Sequence, residues 1–117
     1  MSRTRWVLFA VILGGAALAL SGCFIIANLP PQASFTATPT SGTSPLSVDF
    51  DASASTDPDG QIVSYEWDFG DTQTASGVTV THVFTVQSES KVFTVILTVT
   101  DNDGATDQAT KNIAVNP

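Results

Sequence analysis

Ser64-Tyr65-Glu66-Trp67-Asp68-Phe69-Gly70-Asp71 sets three aromatics within six residues and then stops at a turn. Alternation sends Val63, Tyr65, Trp67 and Phe69 to one face and leaves Ser64, Glu66 and Asp68 on the other, the pattern of a half-buried strand. A buried aromatic withdraws roughly 150–250 Å² from water, so a few of them dominate a small core. Trp67 and Tyr65 are therefore expected to be core residues, on a central strand that ends at Gly70.

Outward from this strand, everything after Ala33 breaks into short alternating runs rich in Thr, Ser and Val, without a helical period of apolar residues. Seven strands are expected: 33–38, 46–51, 62–68, 73–76, 78–84, 91–100 and 106–115. Pro39, Pro45, Pro58, Asp59-Gly60 and Asp103-Gly104 punctuate them. Leu46, Val48 and Phe50 share a face of the second strand, and Phe93, Val95, Leu97 and Val99 share a face of the sixth. Set against each other across Trp67, these rows make the core of an all-β, immunoglobulin-like two-sheet sandwich, with Phe50 and Leu97 inside it. Val92 and Ile96 fall on the outer face of the sixth strand, whose interior place in the sheet keeps it from pairing with other chains.

The 117 residues leave room for one such domain once the N-terminal segment is set aside. That segment reads as an export signal: a basic start with Arg3 and Arg5, an apolar run from Trp6 to Leu20, then Leu20-Ser21-Gly22-Cys23. The last four residues resemble the lipobox of bacterial lipoproteins, in which the cysteine is lipidated and becomes the new N-terminus. The resemblance implies a signal peptide over 1–22, lipidation of Cys23, and a short linker over 23–32. Two or more acyl chains hold a protein firmly on a membrane where one holds it marginally. The alternative is a retained anchor, because Phe24 to Ala27 would extend the apolar helix to the ~20 residues that span a bilayer. Phe24 stands where an aspartate would signal inner-membrane retention, so the resemblance implies the outer membrane in a Gram-negative cell. The extended linker reaches only about 35 Å, which holds the domain close to the lipid. After Cys23 only Lys91 and Lys111 oppose all 11 carboxylates, a balance of −9 that turns away nucleic acid. With a single cysteine no intrachain disulfide forms.

Four motifs in order carry a second resemblance: 50–60 with Asp57-Pro58-Asp59-Gly60, 65–71, His82-Val83-Phe84, and 97–104 ending Asp101-Asn102-Asp103-Gly104. Together they resemble the PKD domain, the immunoglobulin-like module named after polycystic kidney disease, over essentially everything from Asn28 onward. Two local departures stand out: Thr72 replaces a frequent second glycine, and 87–91 is longer than the usual glycine turn. The resemblance implies an extracellular, non-catalytic sandwich over 33–117 that binds protein or carbohydrate. The competing expectation is a structural subunit or spacer of a cell-envelope complex.

By the same resemblance to domains of bacterial collagenases, Asn28, Asp57, Asp59 and Asp101 are expected to meet at one pole and hold Ca²⁺. Asp103 lies beside them and Leu29 offers a carbonyl. Ca²⁺ takes six to eight hard oxygens, which three carboxylates with carbonyls and water can supply. The same residues also suit turns and left-handed backbone on their own account, so the sequence leaves both readings standing. Glu66, Asp68 and Asp71 are not expected to form a hydrolytic carboxylate pair, because so small a sandwich offers no cleft. Asp68 and Asp71 are expected to accept backbone N–H bonds around Gly70, and His82, the lone histidine, to bond a nearby loop. No nucleophile elbow or zinc-ligand cluster is present in the sequence, and no enzyme activity is expected.

Overall fold

The computed structural model describes residues 27–117, so the signal segment and Cys23 lie outside the described residues. Eight strands form two sheets. One holds β1 (Thr36–Thr38), β3 (Leu46–Asp51) and β6 (Thr79–Phe84) in the order β1-β3-β6. The other holds β2 (Ser41–Thr43), β4 (Ile62–Asp68), β5 (Thr74–Ser76), β7 (Lys91–Asp101) and β8 (Thr106–Asn116) in the order β2-β8-β7-β4-β5. All pairings are antiparallel except β2 with β8, which is parallel and sets Ser41 beside Ala114 and Thr43 beside Asn116.

The eighth strand is β2, and it corrects the expectation of seven. Ser41-Gly42-Thr43 has no apolar alternation and sits between two prolines. It is a strand because its backbone groups pair with β8, and that pairing asks nothing of its side chains. The first strand also begins later than expected, at Thr36. Upstream, Gln32 pairs with Thr56 by two backbone bonds and Pro31 is fully buried. The linker thus packs on the sandwich before the sheet begins.

The core forms where the expected rows meet. Val48 and Phe50 of β3 and Phe93, Val95, Leu97 and Val99 of β7 are buried against Trp67, joined by Phe35, Phe69, Phe84, Ile113 and Val115. Trp67 lies edge-on to Phe35 with centroids 5.0 Å apart and tilted to Phe50 at 5.4 Å. Its indole N–H donates to the Gly77 carbonyl at 2.8 Å, which satisfies the one polar group that burial of tryptophan strands. Gly77 N–H in turn donates to the Tyr65 carbonyl, so the β5–β6 crossing is fastened to the central strand. The two lysines of the domain lie over aromatic rings at its margin, Lys91 over Phe93 and Lys111 over Phe35.

Two members of the expected inward row do not reach the core. A bulge between Ile62 and Ser64 shifts the register against β7, and it leaves Val63 61% exposed. Tyr65 is half-buried and packs against the cluster from its edge. Gly70 ends the strand with φ +77°, and a Cβ there would meet the Thr94 backbone carbonyl of β7 at 2.6 Å. Only glycine satisfies both conditions.

Candidate metal centre at the linker pole

The β3–β4 loop and the β7–β8 turn meet at one pole, and the linker enters between them. Each is shaped by short polar side chains that take up local backbone N–H groups. Asp51 Oδ1 accepts from Ser53 N–H at 2.8 Å, which starts the first loop. The Ser55 hydroxyl accepts from Ser34 N–H at 2.9 Å and donates to Ser34 C=O at 2.8 Å, pinning the loop to the incoming chain. In the second turn Asp101 Oδ1 accepts from Asp103 N–H at 2.9 Å and Ala105 N–H at 2.8 Å. Asn102 then joins the loops: its Oδ1 accepts from Gln61 N–H and its N–H donates to Gln61 C=O, both at 3.0 Å.

The linker is fastened by carboxylates. Asn28 Nδ2 donates to Asp101 Oδ2 at 2.8 Å, Leu29 N–H to Asp59 Oδ2 at 2.9 Å, and Ala33 N–H to Asp107 Oδ2 at 2.8 Å. Of the expected cluster, the structure brings Asn28, Asp57, Asp59 and Asp101 together; one carboxylate oxygen from each of the three aspartates lies within 4.8 Å of the others. Asp103 contributes its backbone to Asp101 and is not part of this carboxylate group. Leu29 is engaged through its N–H, which donates to Asp59 Oδ2. Asp107, Ser55 and Asn102 were not singled out from sequence. Asp107 is 74 positions from Ala33, and no local pattern relates the two.

The site is electrostatically uneven. Loss of hydration pushes the Asp57 carboxyl above the ordinary carboxylate range against the pull of the nearby Asp59 backbone N–H, and the Asp59 side chain and the charge of Asp101 push it further up. The side-chain bond from Asn28 holds Asp101 below that range, outweighing a burial that leaves it 1% exposed; the backbone N–H groups of Ala105, Asp103 and Gly104 pull in the same direction. Both oxygens of Asp57 and Oδ1 of Asn28 are shielded from solvent without a hydrogen-bond donor. Bare, shielded carboxylate oxygens are costly unless a cation or proton meets them. Gly60 keeps this pocket open, because a Cβ there would lie 3.1 Å from Asp57 Oδ2 and would also collide with Asn102 Oδ1. The donor set is all oxygen and bears three carboxylates, which suits a hard divalent cation in charge and chemistry.

The other expected polar residues are structural in placement. Asp68 Oδ1 accepts from Gly70 N–H at 2.9 Å and Asp71 Oδ1 from Gln73 N–H at 3.0 Å, as expected. His82 Nε2 bonds Asp71 Oδ2 at 2.6 Å, and its ring stacks on Phe69 with centroids 3.9 Å apart and 4° between planes. The histidine is thereby held between the β4–β5 turn and the core.

A model described as the PKD domain matches residues 28–116. A microbial collagenase of Vibrio alginolyticus is 37% identical over 91 residues, which is 78% of this chain and 11% of the collagenase, so the chain spans about a tenth of that relative. The crystal structure of the PKD1 domain of Vibrio anguillarum Epp is 37% identical with a TM-score of 0.63, covering 77% of this chain and 98% of that one. A chain from a structural study of promiscuous carbohydrate-binding modules of the β-sandwich superfamily is 36% identical with a TM-score of 0.71, covering 78% of this chain and 36% of that one. The match begins at Asn28, the residue whose amide first touches the acidic pole, and the chain belongs to the PKD domain family.

Proposed function

We propose that this chain is an exported lipoprotein of the bacterial cell envelope, in the outer membrane of a Gram-negative cell. Residues 1–22 are a signal peptide, Cys23 carries lipid, and the single PKD domain acts close to the membrane as a non-catalytic module binding an envelope or extracellular protein or a polysaccharide. The observation that carries this reading is the seating of Asn28 and Leu29 on Asp101 and Asp59. Asn28 follows Cys23 by five positions, so at ~3.6 Å per residue the sandwich begins within about 18 Å of the lipidated residue. A tether that short suits a domain working at the surface that holds it. Similarity to collagenase segments and to a chain from a study of carbohydrate-binding modules supports protein or carbohydrate as the partner class. The employment of Asp68, Asp71 and His82 in holding the β4–β5 turn supports a non-catalytic role.

In the same reading the linker pole takes a divalent cation of the calcium type. Asp57, Asp59, Asp101 and Asn28 would hold it through their oxygens, and the bare oxygens of Asp57 are the support for this. When bound, the ion supplies the positive charge that this pole lacks and stiffens the joint between linker and domain. The anchor is tested by Cys23→Ser with membrane fractionation and mass spectrometry. Loss from the membrane fraction is expected; retention at full precursor mass means a transmembrane anchor instead. A glycan array and a pull-down from envelope extract test the binding role, which fails when both come back empty.

A further inference from the structure

The open edges of the two sheets are not alike. β1, β2 and β5 are three residues each, and β1 and β2 run into Pro39 and Pro45. β4 beyond β5 is broken by the bulge at Ile62/Ser64. β8 is open from Thr106 to Ile113, but it carries Asp107 and Lys111 there, bound to Ala33 and lying over Phe35 of the incoming chain. β6 is six residues long and contains no proline, lysine, arginine or carboxylate. Short length, charge, proline and bulges are what keep strand edges from pairing, and β6 has none of them.

The register says which groups β6 presents. Ala52 N–H donates to Val78 C=O, and the same register sets Phe50 opposite Val80, Val48 opposite His82 and Leu46 opposite Phe84. Val80, His82 and Phe84 therefore exchange bonds with β3, while Thr79, Thr81 and Val83 turn their N–H and C=O outward. Among the described residues no turn, loop or side chain takes these groups up. All three residues are exposed, Val83 by 49%. Contrary to the expectation that so small a sandwich offers no cleft, an open groove of about 620 Å³ continues past the end of the strand, between the β4–β5 turn and the β6–β7 loop, and Asp71, Val83 and Glu89 line it; Glu66 and Asp68 do not. Asp49 reaches the same strand through Thr81 Oγ1 at 2.7 Å, and the groove's one lysine, Lys91, lies over Phe93.

We propose that β6 is a docking edge for an extended polypeptide segment of a partner bearing Lys or Arg, which adds as a fourth strand to the β1-β3-β6 sheet and leads into the groove. Outward backbone groups at every second residue are matched by another extended backbone. The carboxylates of Asp49, Asp71 and Glu89 select a basic one. Antiparallel self-pairing of two copies centred on Thr81 would set each Asp49 against its equivalent. The inference rests on the binding-module reading and is independent of the lipid anchor and of the cation pole.

The full ¹⁵N-labelled chain in zwitterionic micelles is titrated with the blocked peptide Lys-Thr-Val-Thr-Val-Thr-Lys, with its Glu-flanked version, and with its fully N-methylated counterpart. Saturable amide shifts are expected at Thr79, Thr81 and Val83 in the millimolar range. Binding is expected to be roughly tenfold weaker for the Glu-flanked peptide, and lost with N-methylation or in Thr81→Pro. Proline there removes no backbone bond to β3 and costs only the Thr81 hydroxyl bond to Asp49, and Val83→Lys is a second variant that guards the edge while keeping that bond and the backbone. Absence of shifts, shifts on the outer face of β7 and β8, unchanged binding in both variants, or concentration-dependent shifts at β6 without peptide would each overturn the proposal. If the glycan array still captures the chain, the binding-module reading stands without β6.

Discussion

Calcium added to the chelator-treated chain is expected to raise its melting temperature by roughly 6–20 °C. The magnitude follows from the donor set at the linker pole: three carboxylates and a carboxamide oxygen, at a half-open surface, resemble the extracellular sites that bind Ca²⁺ with Kd of about 10⁻⁴–10⁻³ M. At ~10 mM ion this is about 10–100 Kd, which linkage converts to roughly 1.4–2.7 kcal/mol of added stability. A domain of this size gains ~4–8 °C per kcal/mol. Asp57→Asn sharpens the test because its two effects have opposite signs. Without the ion it removes a poorly hydrated carboxylate that faces Asp101 and Asp59, so the melting temperature holds or rises. With the ion it removes a ligand charge and replaces one of the two bare oxygens with an amide NH₂, so the increment collapses. Scanning calorimetry of both proteins in micelles, with Mg²⁺ as the comparison ion, reads all of these values. If these aspartates serve the turn alone, Ca²⁺ leaves the melting temperature unchanged and Asp57→Asn lowers it equally in both conditions; that pattern would refute the cation reading.

Three further outcomes are expected. Without the ion, Asp57 is held above the ordinary carboxylate range, so its protonation favours the fold as pH falls toward that range. Asp101 is held below it, so its contribution is present above the unfolded value and is lost as pH falls further. A melting series in chelator therefore peaks at weakly acidic pH, and saturating Ca²⁺ removes the peak. Gly70→Ala combines a left-handed backbone with a Cβ 2.6 Å from the Thr94 carbonyl, and it is expected to lose about 2–4 kcal/mol in urea unfolding; a loss under about 1 kcal/mol would contradict the close approach. Thr72 is exposed with φ +75°, and Thr72→Gly is expected to gain up to about 1 kcal/mol after the flexibility of glycine in the unfolded chain is subtracted; a lower urea midpoint would show that the threonine is not strained.

The sandwich was legible wherever alternation reports burial. Val48, Phe50, Trp67, Leu97 and Val99 lie where a period of two puts them, and β3 and β4 match their expected ranges. Alternation failed at Val63, because a bulge adds one residue and reverses the face without leaving a mark in composition. It could not find Ser41–Thr43, a strand made by backbone pairing with a segment more than 70 positions away. The pole was legible through resemblance, which named Asn28, Asp57, Asp59 and Asp101 as neighbours. What composition alone cannot separate is an aspartate that bonds a turn from one whose oxygens stay bare: Asp101 and Asp57 occur in similar contexts, and one accepts three donors while the other accepts none.

The parallel pair of β2 and β8 has a mechanical consequence. Tension between the linker and the far end of β8 pulls these strands past each other along their length, because they run in the same direction and are held from opposite ends. Thr40 C=O with Ala114 N–H at 3.0 Å and Ser44 N–H with Asn116 C=O at 2.7 Å bracket the pair, so its bonds are loaded together in shear and are not peeled one at a time. Once the linker contacts have given way, this three-residue clasp is what must rupture before the aromatic core can open under load.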